Sequence, residues 1–223
     1  MRQRPFTGTR FIELKGLMIQ ISHYQTTEKL YESQNSRVYR ARSHVSQRPV
    51  ILKVLNDLQP SPERIGWFRR EYEITRGLDL AGVVEVYDLL YDQQQWVMVV
   101  EDFGGESLSR LKLAGQLSVE VFLRLALEIT KILGQIHQQQ IIHKDINPAN
   151  IVYNPSSGQV KVIDFGISTV LSRETPTFQP PNTLQGTLAY LSPEQTGRMN
   201  RPLDYPRHAS VAMRLLFARC HLL

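Results

Sequence analysis

The sequence predicts an α+β fold in which a small antiparallel β lobe precedes a helical lobe. Three features predict it. Short β-like runs separated by Ser-, Asn- and Gln-rich turns occur within residues 22–55 and 83–101, an amphipathic helix covers residues 117–138, and a polar cluster lies between apolar runs at residues 141–152. With 223 residues, 42% of them hydrophobic, the chain suffices for one sizeable domain or two small lobes.

The net charge of +5 is concentrated at the two ends of the chain. Residues 1–17 and 206–223 hold seven of the 26 basic residues and one of the 21 acidic residues, so the remainder is close to neutral. This distribution is not the footprint of a nucleic-acid-binding protein. The single cysteine, Cys220, fits a reducing compartment, and no apolar run is long enough to span a bilayer. We therefore predict a cytoplasmic protein with no nucleic-acid or membrane partner.

The β lobe is predicted to contain five strands. They cover residues 24–31, 37–41, 49–55, 83–91 and 95–101. The last strand runs into Glu101-Asp102-Phe103-Gly104-Gly105-Glu106, a connection that suits a hinge between lobes. Backbone groups in such a hinge can bond the edge of an adenine ring.

The first helix is predicted to begin at Ser61-Pro62, a capping hydroxyl followed by proline, and to run to about Arg76. Glu71 shares a helical face with apolar residues and is predicted to point inward, where it can meet Lys53 of the third strand. The apolar residues of that face are Trp67, Ile74 and Leu78. The alternatives are an edge strand with Lys53 in water, and Glu71 in a surface cluster with Arg70.

The second helix, residues 117–138, carries an apolar stripe at spacings of three and four, with Ser118 as the capping residue. The predicted stripe consists of Val119, Phe122, Leu123, Ala126, Ile129, Leu133 and Ile136.

Two acidic residues and an amide follow short apolar runs beyond this helix. Asp145 and Asn150 lie in the stretch His143-Lys144-Asp145-Ile146-Asn147-Pro148-Ala149-Asn150, and Asp164 follows Val160-Lys161-Val162-Ile163. Carboxylate and amide oxygens are the hard ligands that Mg²⁺ prefers. The pattern therefore indicates a site for metal ions and a phosphate.

The stretch from His143 to Asn150 resembles the catalytic loop of the serine/threonine protein kinases, H-R-D-x-x-x-x-N. Asp164-Phe165-Gly166 matches their metal-binding motif, and Ser192-Pro193-Glu194 is similar to their A-P-E. Lys53 and Glu71 match the strand lysine and helix glutamate in order and spacing. The chain also resembles the N-terminal kinase domain of large bacterial signalling proteins.

This resemblance implies a two-lobed kinase fold, ATP and Mg²⁺ as cofactors, and a protein substrate, with other signalling modules as further partners. It implies that Asp145 orients the substrate hydroxyl and takes its proton, that Asn150 and Asp164 hold Mg²⁺, and that Lys53, steadied by Glu71, grips the phosphates. His143 is expected to be structural. The residues implied to contact ATP are Ser33, Ser36, Val38, Lys53, Glu101, Phe103, Glu106 and Asn147.

Several residues depart from the family pattern. Tyr31, Ser33 and Ser36 occupy the places of the three glycines that fold over the phosphates. Asn147 stands where a lysine is usual, which removes a cation near the transferred phosphate. Lys144 replaces arginine, so it can meet a phosphorylated Thr177, Thr183 or Thr187 but not with a bidentate fork. These departures predict slow catalysis or an unusual subgroup.

The predicted organisation is a flexible extension at 1–17, a kinase domain at 18–205 and an aberrant basic tail at 206–223. Within the domain we expect an N-lobe at about 18–101, a hinge at about 102–106 and a partial C-lobe at 107–205. The tail has no acid and no kinase motif, which predicts a frameshift or truncation near residue 206.

Two alternative functions are a weakly active or inactive ATP-binding module and a small-molecule phosphotransferase; Asp164-Phe165-Gly166 and Ser192-Pro193-Glu194 disfavour the latter.

Overall fold

The computed structural model describes residues 19, 21–113, 117–170 and 187. In this part of the chain the residues form two compact units: the first holds residues up to Ile65 and Val86–Asp102, and the second holds Gly66–Glu85 and residues from Phe103 onward. The unit boundary after Asp102 falls within the predicted hinge, whereas residues 66–85, which we predicted in the N-lobe, group with the second unit.

The first unit contains a five-stranded antiparallel sheet in the order β1-β2-β3-β5-β4. Its strands are β1 (Tyr24–Glu32), β2 (Ser36–Ser43), β3 (Pro49–Leu55), β4 (Val86–Asp92) and β5 (Gln95–Glu101). Alternate residues of β2, β3 and β5 pack one face of the sheet into a core, because side chains alternate along a strand. Four strands agree with the prediction. β4 begins later than predicted because Val83 forms a bridge to Val162 within the second unit.

Helix α1 (Pro62–Gly77) begins as predicted, since the Ser61 hydroxyl accepts a hydrogen bond from Arg64 N at 3.3 Å. The predicted apolar face is wrong at Trp67, which is 59% exposed, whereas Phe68 is buried. Because each residue turns the helix by about 100°, Trp67 and Phe68 lie on different faces. The buried face is the one that contains Phe68 and Glu71. Glu71 itself is buried, as predicted, at 7% exposure.

The second unit is built around α3 (Val119–Gln138), whose first turn is capped by Ser118, which accepts from Val121 N. Ile129, Leu133 and Ile136 are buried as predicted. Val119 and Leu123 are more than half exposed, and the side chains that join the core in their stead are Leu125 and Ile132. The apolar spacing alone allowed either stripe; packing against the core selected the one that contains Leu125.

Short strands and one short helix complete the described part of the second unit. They are β6 (Glu106–Ser107), α2 (Leu108–Leu111), β7 (Ile141–Ile142), β8 (Ile151–Tyr153), β9 (Val160–Val162) and β10 (Thr169–Val170). β6, β8 and β9 form one antiparallel sheet, and β7 pairs with β10. β7 and β8 therefore bracket residues 143–150, and β9 delivers the chain to Asp164.

Several predicted features lie outside the described residues: the extension at 1–17, Thr177, Thr183, Ser192-Pro193-Glu194 and the tail at 206–223. Within the described ranges, no helix is long and apolar enough to cross a membrane.

Candidate active site

His143 fixes the start of the loop between β7 and β8. It is fully buried, and its ring meets the Phe165 ring edge-on with centroids 4.7 Å apart. Nδ1 accepts from Asp145 N at 3.2 Å, so the hydrogen lies on Nε2, which donates to Ile163 O at 2.9 Å. Because both ring nitrogens are used to hold backbone groups, His143 has the structural role that the sequence predicted.

Asp145 receives hydrogen bonds on both carboxylate oxygens. Oδ1 accepts from the backbone N and the hydroxyl of Thr187, each at 2.8 Å. Oδ2 accepts from Asn150 Nδ2 at 3.0 Å, and the same amide group also reaches Asp145 O at 2.9 Å. A carboxylate has about four lone-pair positions, so these bonds orient Asp145 and leave acceptor capacity on Oδ2.

Asn147 belongs to the same hydrogen-bond network. Its Nδ2 donates to Thr187 Oγ1 at 3.1 Å and to Asp145 O at 3.2 Å, and its Oδ1 accepts from Ala149 N at 2.8 Å. The Thr187 hydroxyl thus accepts from Asn147 and donates to Asp145. The predicted contact of Asn147 with ATP stays a prediction; its described contacts all lie within the loop and with Thr187.

Lys144 is buried immediately before Asp145 and has a positive φ of 66°. Burial, and to a lesser degree the Arg70 guanidinium, lowers the pKa of Lys144 below its ordinary value. A positive φ is uncommon for a residue with a side chain and marks local strain, which clusters at functional sites. The loop therefore combines a strained backbone with a partly desolvated cation next to Asp145.

Asp164 also has a positive φ, 65°, and lies beside the buried Phe165. A Cβ added to Gly166 would lie 3.2 Å from Asp164 Oδ1 and 3.4 Å from Glu71 Oε2. Two carboxylates thus approach Gly166, where a larger residue would crowd them. Carboxylate oxygens are hard ligands of the kind that Mg²⁺ prefers.

The side-chain oxygens of Asn150 and Asp164 are of the chemical type that Mg²⁺ prefers. Ile163 N donates to Asn150 O at 3.0 Å, so the residue before Asp164 is bonded to the backbone of Asn150. Across the described ranges, no group of three or more His, Cys, Asp or Glu side chains is placed to hold a metal. Mg²⁺ needs no such cage, because it commonly takes one or two protein ligands together with substrate phosphates and water.

Lys53 and Val38 are directly opposite each other across β3 and β2. β3 is an interior strand, so the edge-strand alternative for Lys53 is wrong. Residues paired in this way point to the same face, and Lys53 alternates with the buried Leu52 and Val54, so it faces away from the first unit's core. Lys53 lies in the first unit and Glu71 in the second, and their pairing stays a prediction.

The turn between β1 and β2 is closed by Ser33. Its hydroxyl accepts from Asn35 N at 3.2 Å and from Ser36 N at 3.1 Å, while Ser33 N donates to Ser36 O at 2.8 Å. Asn56 Nδ2 also donates to Ser33 O at 2.8 Å. The N–H groups of Ser33, Asn35 and Ser36 are therefore bonded within the turn itself.

The predicted hinge residues lie on both sides of the unit boundary. Asp102, in the first unit, accepts from Arg40 Nε at 2.8 Å, and Glu101 ends β5. Phe103, in the second unit, has its carbonyl bonded by Asn154 Nδ2 at 2.7 Å. Glu106, in β6, is paired with Arg110 at 3.2 Å. The contacts of these residues with adenine and ribose stay predictions.

Three residues of this site were missed or misjudged from the sequence. Thr187 was considered only as a phosphorylation target, whereas it bonds Asp145. Asn154 and Lys161 were not singled out, although both contact Phe103. The signal for Lys161 was available, since a lysine between two valines of a buried strand needs a partner; Asn154 had no such signal.

The fold described above is that of a protein kinase. Residues 24–207 match the protein kinase domain family, and the chain belongs to that family. This confirms the resemblance and the predicted fold class.

Several similar proteins are named serine/threonine-protein kinases. The serine/threonine-protein kinase PrkC of Bacillus subtilis is 36% identical over 162 residues, which cover 72% of this chain and 24% of that protein. Serine/threonine-protein kinase 36 of Pongo abelii is 30% identical over 182 residues, 82% of this chain and 13% of the relative. A probable serine/threonine-protein kinase of Clostridium perfringens is 32% identical over 176 residues, which cover 78% of this chain and 25% of that protein. The matched region thus spans a quarter or less of each relative.

Proposed function

We propose that the chain transfers the γ-phosphoryl group of ATP to a serine or threonine hydroxyl of a protein. The observation that carries the proposal is the convergence of Asn150 and Thr187 on the carboxylate of Asp145. Such bonds hold a general base in one orientation, and phosphoryl transfer depends mostly on positioning and charge neutralisation.

In this proposal Asp145 Oδ2 accepts the proton of the substrate hydroxyl, because Oδ1 is already bonded twice by Thr187. The Asn150 amide oxygen and the Asp164 carboxylate would hold Mg²⁺, which neutralises phosphate charge when bound. Lys53 would grip the phosphates, with Glu71 as its partner. Ser33, Ser36 and Val38 would lie near the phosphates, and Glu101, Phe103 and Glu106 near the adenine and ribose.

A second candidate function is nucleotide binding with little or no transfer. The closed turn at Ser33 favours it, because the Asn35 and Ser36 N–H groups are already bonded. Asn147 in the place of a lysine also favours it, since a cation near the transferred phosphate is missing at that position.

Radiolabelled γ-phosphate transfer to a general protein acceptor tests the two candidates. We expect Asp145→Ala to lower the transfer rate by about 10²–10⁴-fold, while Asp79→Ala, which changes an exposed aspartate of the same unit, leaves it unchanged. Equal labelling by wild type and Asp145→Ala would contradict catalysis. Nucleotide binding without transfer by the wild type would support the second candidate.

We further propose a cytoplasmic location and a role in signalling through a protein substrate. The single cysteine supports the location, because it permits no internal disulfide. Fractionation of the producing cells checks it: recovery of the protein outside the cytoplasmic fraction would contradict it.

A further inference from the structure

Asn154, directly after β8, bonds Phe103 of the predicted hinge, and both residues lie in the second unit. Its Nδ2 donates to Phe103 O at 2.7 Å, between residues 51 positions apart. Its Oδ1 accepts from Ser156 N at 2.9 Å and from Ser157 N at 3.3 Å. Because one end of the amide faces N–H donors and the other faces a carbonyl, its orientation is fixed.

The Phe103 side chain, which is half-buried, has contacts with the same unit. Lys161, buried at 8% exposure, places Nζ 5.7 Å from the centre of the Phe103 ring and donates to Val83 O at 3.4 Å. A Cβ at Gly105 would lie 2.7 Å from both the Phe103 ring and Val152 Cγ1. The half-buried ring therefore has Lys161 and Gly105 as neighbours, and Asn154 bonds the carbonyl of the same residue.

Gly104 completes the arrangement. It has a φ of 74°, and a Cβ added there would lie 3.3 Å from Asn154 Nδ2. The peptide group between Phe103 and Gly104 thus takes a conformation that suits glycine, and the Asn154 amide lies against it. A hydrogen bond at this point sets the direction of the hinge backbone.

We propose that Asn154 is a positioning residue for adenine recognition: by holding the Phe103 carbonyl, it fixes the backbone that receives the adenine edge. This inference rests on the proposed function, because it requires an adenine nucleotide at the hinge. Hydrogen bonds weaken steeply when donor and acceptor are misaligned. Releasing Phe103 should therefore weaken binding of the base and leave binding of the phosphates unchanged.

Two substitutions distinguish the bond from Asn154 to Phe103 from the bonds that Asn154 accepts in the turn at residues 154–157. Asn154→Asp keeps an acceptor for the Ser156 and Ser157 N–H groups but removes the donor to Phe103. Asn154→Ala removes both. Ser157→Ala is the matched control, because it removes the hydroxyl that bonds Gln159 in the same turn without touching Phe103.

The experiment measures dissociation constants for Mg²⁺–ADP and Mg²⁺–tripolyphosphate by calorimetry, together with the unfolding temperature of each variant. We expect both Asn154 variants to weaken ADP binding about fivefold with tripolyphosphate binding unchanged. Asn154→Ala should lower the unfolding temperature more than Asn154→Asp, and Ser157→Ala should bind ADP as the wild type does.

ADP binding by Asn154→Asp at wild-type strength would overturn the inference and leave the proposed function intact. An equal loss for ADP and tripolyphosphate would also overturn it, because it would indicate a general structural effect. Failure of the wild type to bind ADP would overturn the proposed function and, with it, this inference.

Discussion

The catalytic loop at 143–150 and the turn at 33–36 are both dense in hydrogen bonds, but the bonds serve different groups. In the loop, Asn150 and Thr187 donate to the Asp145 carboxylate, a group that can react. In the turn, Asn35 and Ser36 donate to the Ser33 hydroxyl, which closes the turn on itself. Under the proposed function, the loop therefore prepares a base, whereas the turn engages backbone N–H donors that could otherwise bond a phosphate.

This difference predicts an enzyme in which the groups for the chemical step are well oriented but the phosphates of ATP are bound weakly. In kinetic terms, substitutions in the loop should act on kcat, and substitutions in the turn should act on the KM for ATP.

Asn150→Ala should have the largest effect among the substitutions around Asp145. It removes the proposed oxygen ligand for Mg²⁺ and a donor to Asp145, so we expect transfer to fall about 10²–10³-fold. Asn150→Asp keeps an oxygen ligand and should need less Mg²⁺ for its residual rate than Asn150→Ala. Transfer rates across a Mg²⁺ titration check this, and an Asn150→Ala rate within threefold of wild type would contradict it.

Thr187→Ala should reduce kcat about tenfold, because a hydrogen bond to a charged group contributes about 1.5–3 kcal/mol and the backbone bond from Thr187 N remains. Thr187→Ser keeps the hydroxyl and should restore most of the rate. Thr130→Ala, an exposed threonine of α3, serves as the control. If the alanine and serine variants lose equal activity, the hydroxyl is not what orients Asp145.

Ser33→Gly should open the turn. Freed Asn35 and Ser36 N–H groups can bond phosphate, so we expect the KM for ATP to fall about threefold, while loss of the internal hydrogen bonds costs about 1 kcal/mol of stability. Steady-state kinetics and urea unfolding measure the two effects. A KM that rises together with the stability loss would show that the closed turn assists ATP binding.

Lys144 should make stability depend on alkaline pH. Burial lowers the pKa of Lys144 in the folded state, whereas the unfolded chain has the ordinary pKa of 10.5. At pH values between these two pKa values, Lys144 is protonated in the unfolded chain and deprotonated in the folded chain. Stability from this group is therefore smallest at neutral pH and rises with pH across that range. Urea unfolding at several pH values should show the rise, and Lys144→Gln should flatten it. Lys131→Gln, on the exposed side of α3, should leave it in place.

The sequence was sufficient for most of the strands of the first unit. β5 and the start of α1 follow from local signals, namely a run of consecutive apolar residues and a Ser-Pro cap. The choice of buried face in the helices did not follow, since Phe68 rather than Trp67 is buried. Neighbouring apolar residues satisfy the same spacing, and only contacts with the core distinguish them.

The same limit applies to the site. The sequence predicts Asp145, Asn150 and Asp164 as site residues because each lies close to a short apolar run and matches a motif. The bond from Asn154 to Phe103 joins residues 51 positions apart, and Thr187 reaches Asp145 across 42 positions. Such contacts depend on how strands and turns pack, so no local pattern in one sequence indicates them.

The most direct measurement is an ATP titration of phosphoryl transfer by the wild type and Asp145→Ala side by side. The proposed role of Asp145 predicts saturable, Mg²⁺-dependent transfer to serine or threonine by the wild type. For Asp145→Ala it predicts a kcat lower by about 10²-fold or more, with a nearly unchanged KM for ATP. A kcat that is the same in both proteins would contradict the assignment of Asp145 as the base.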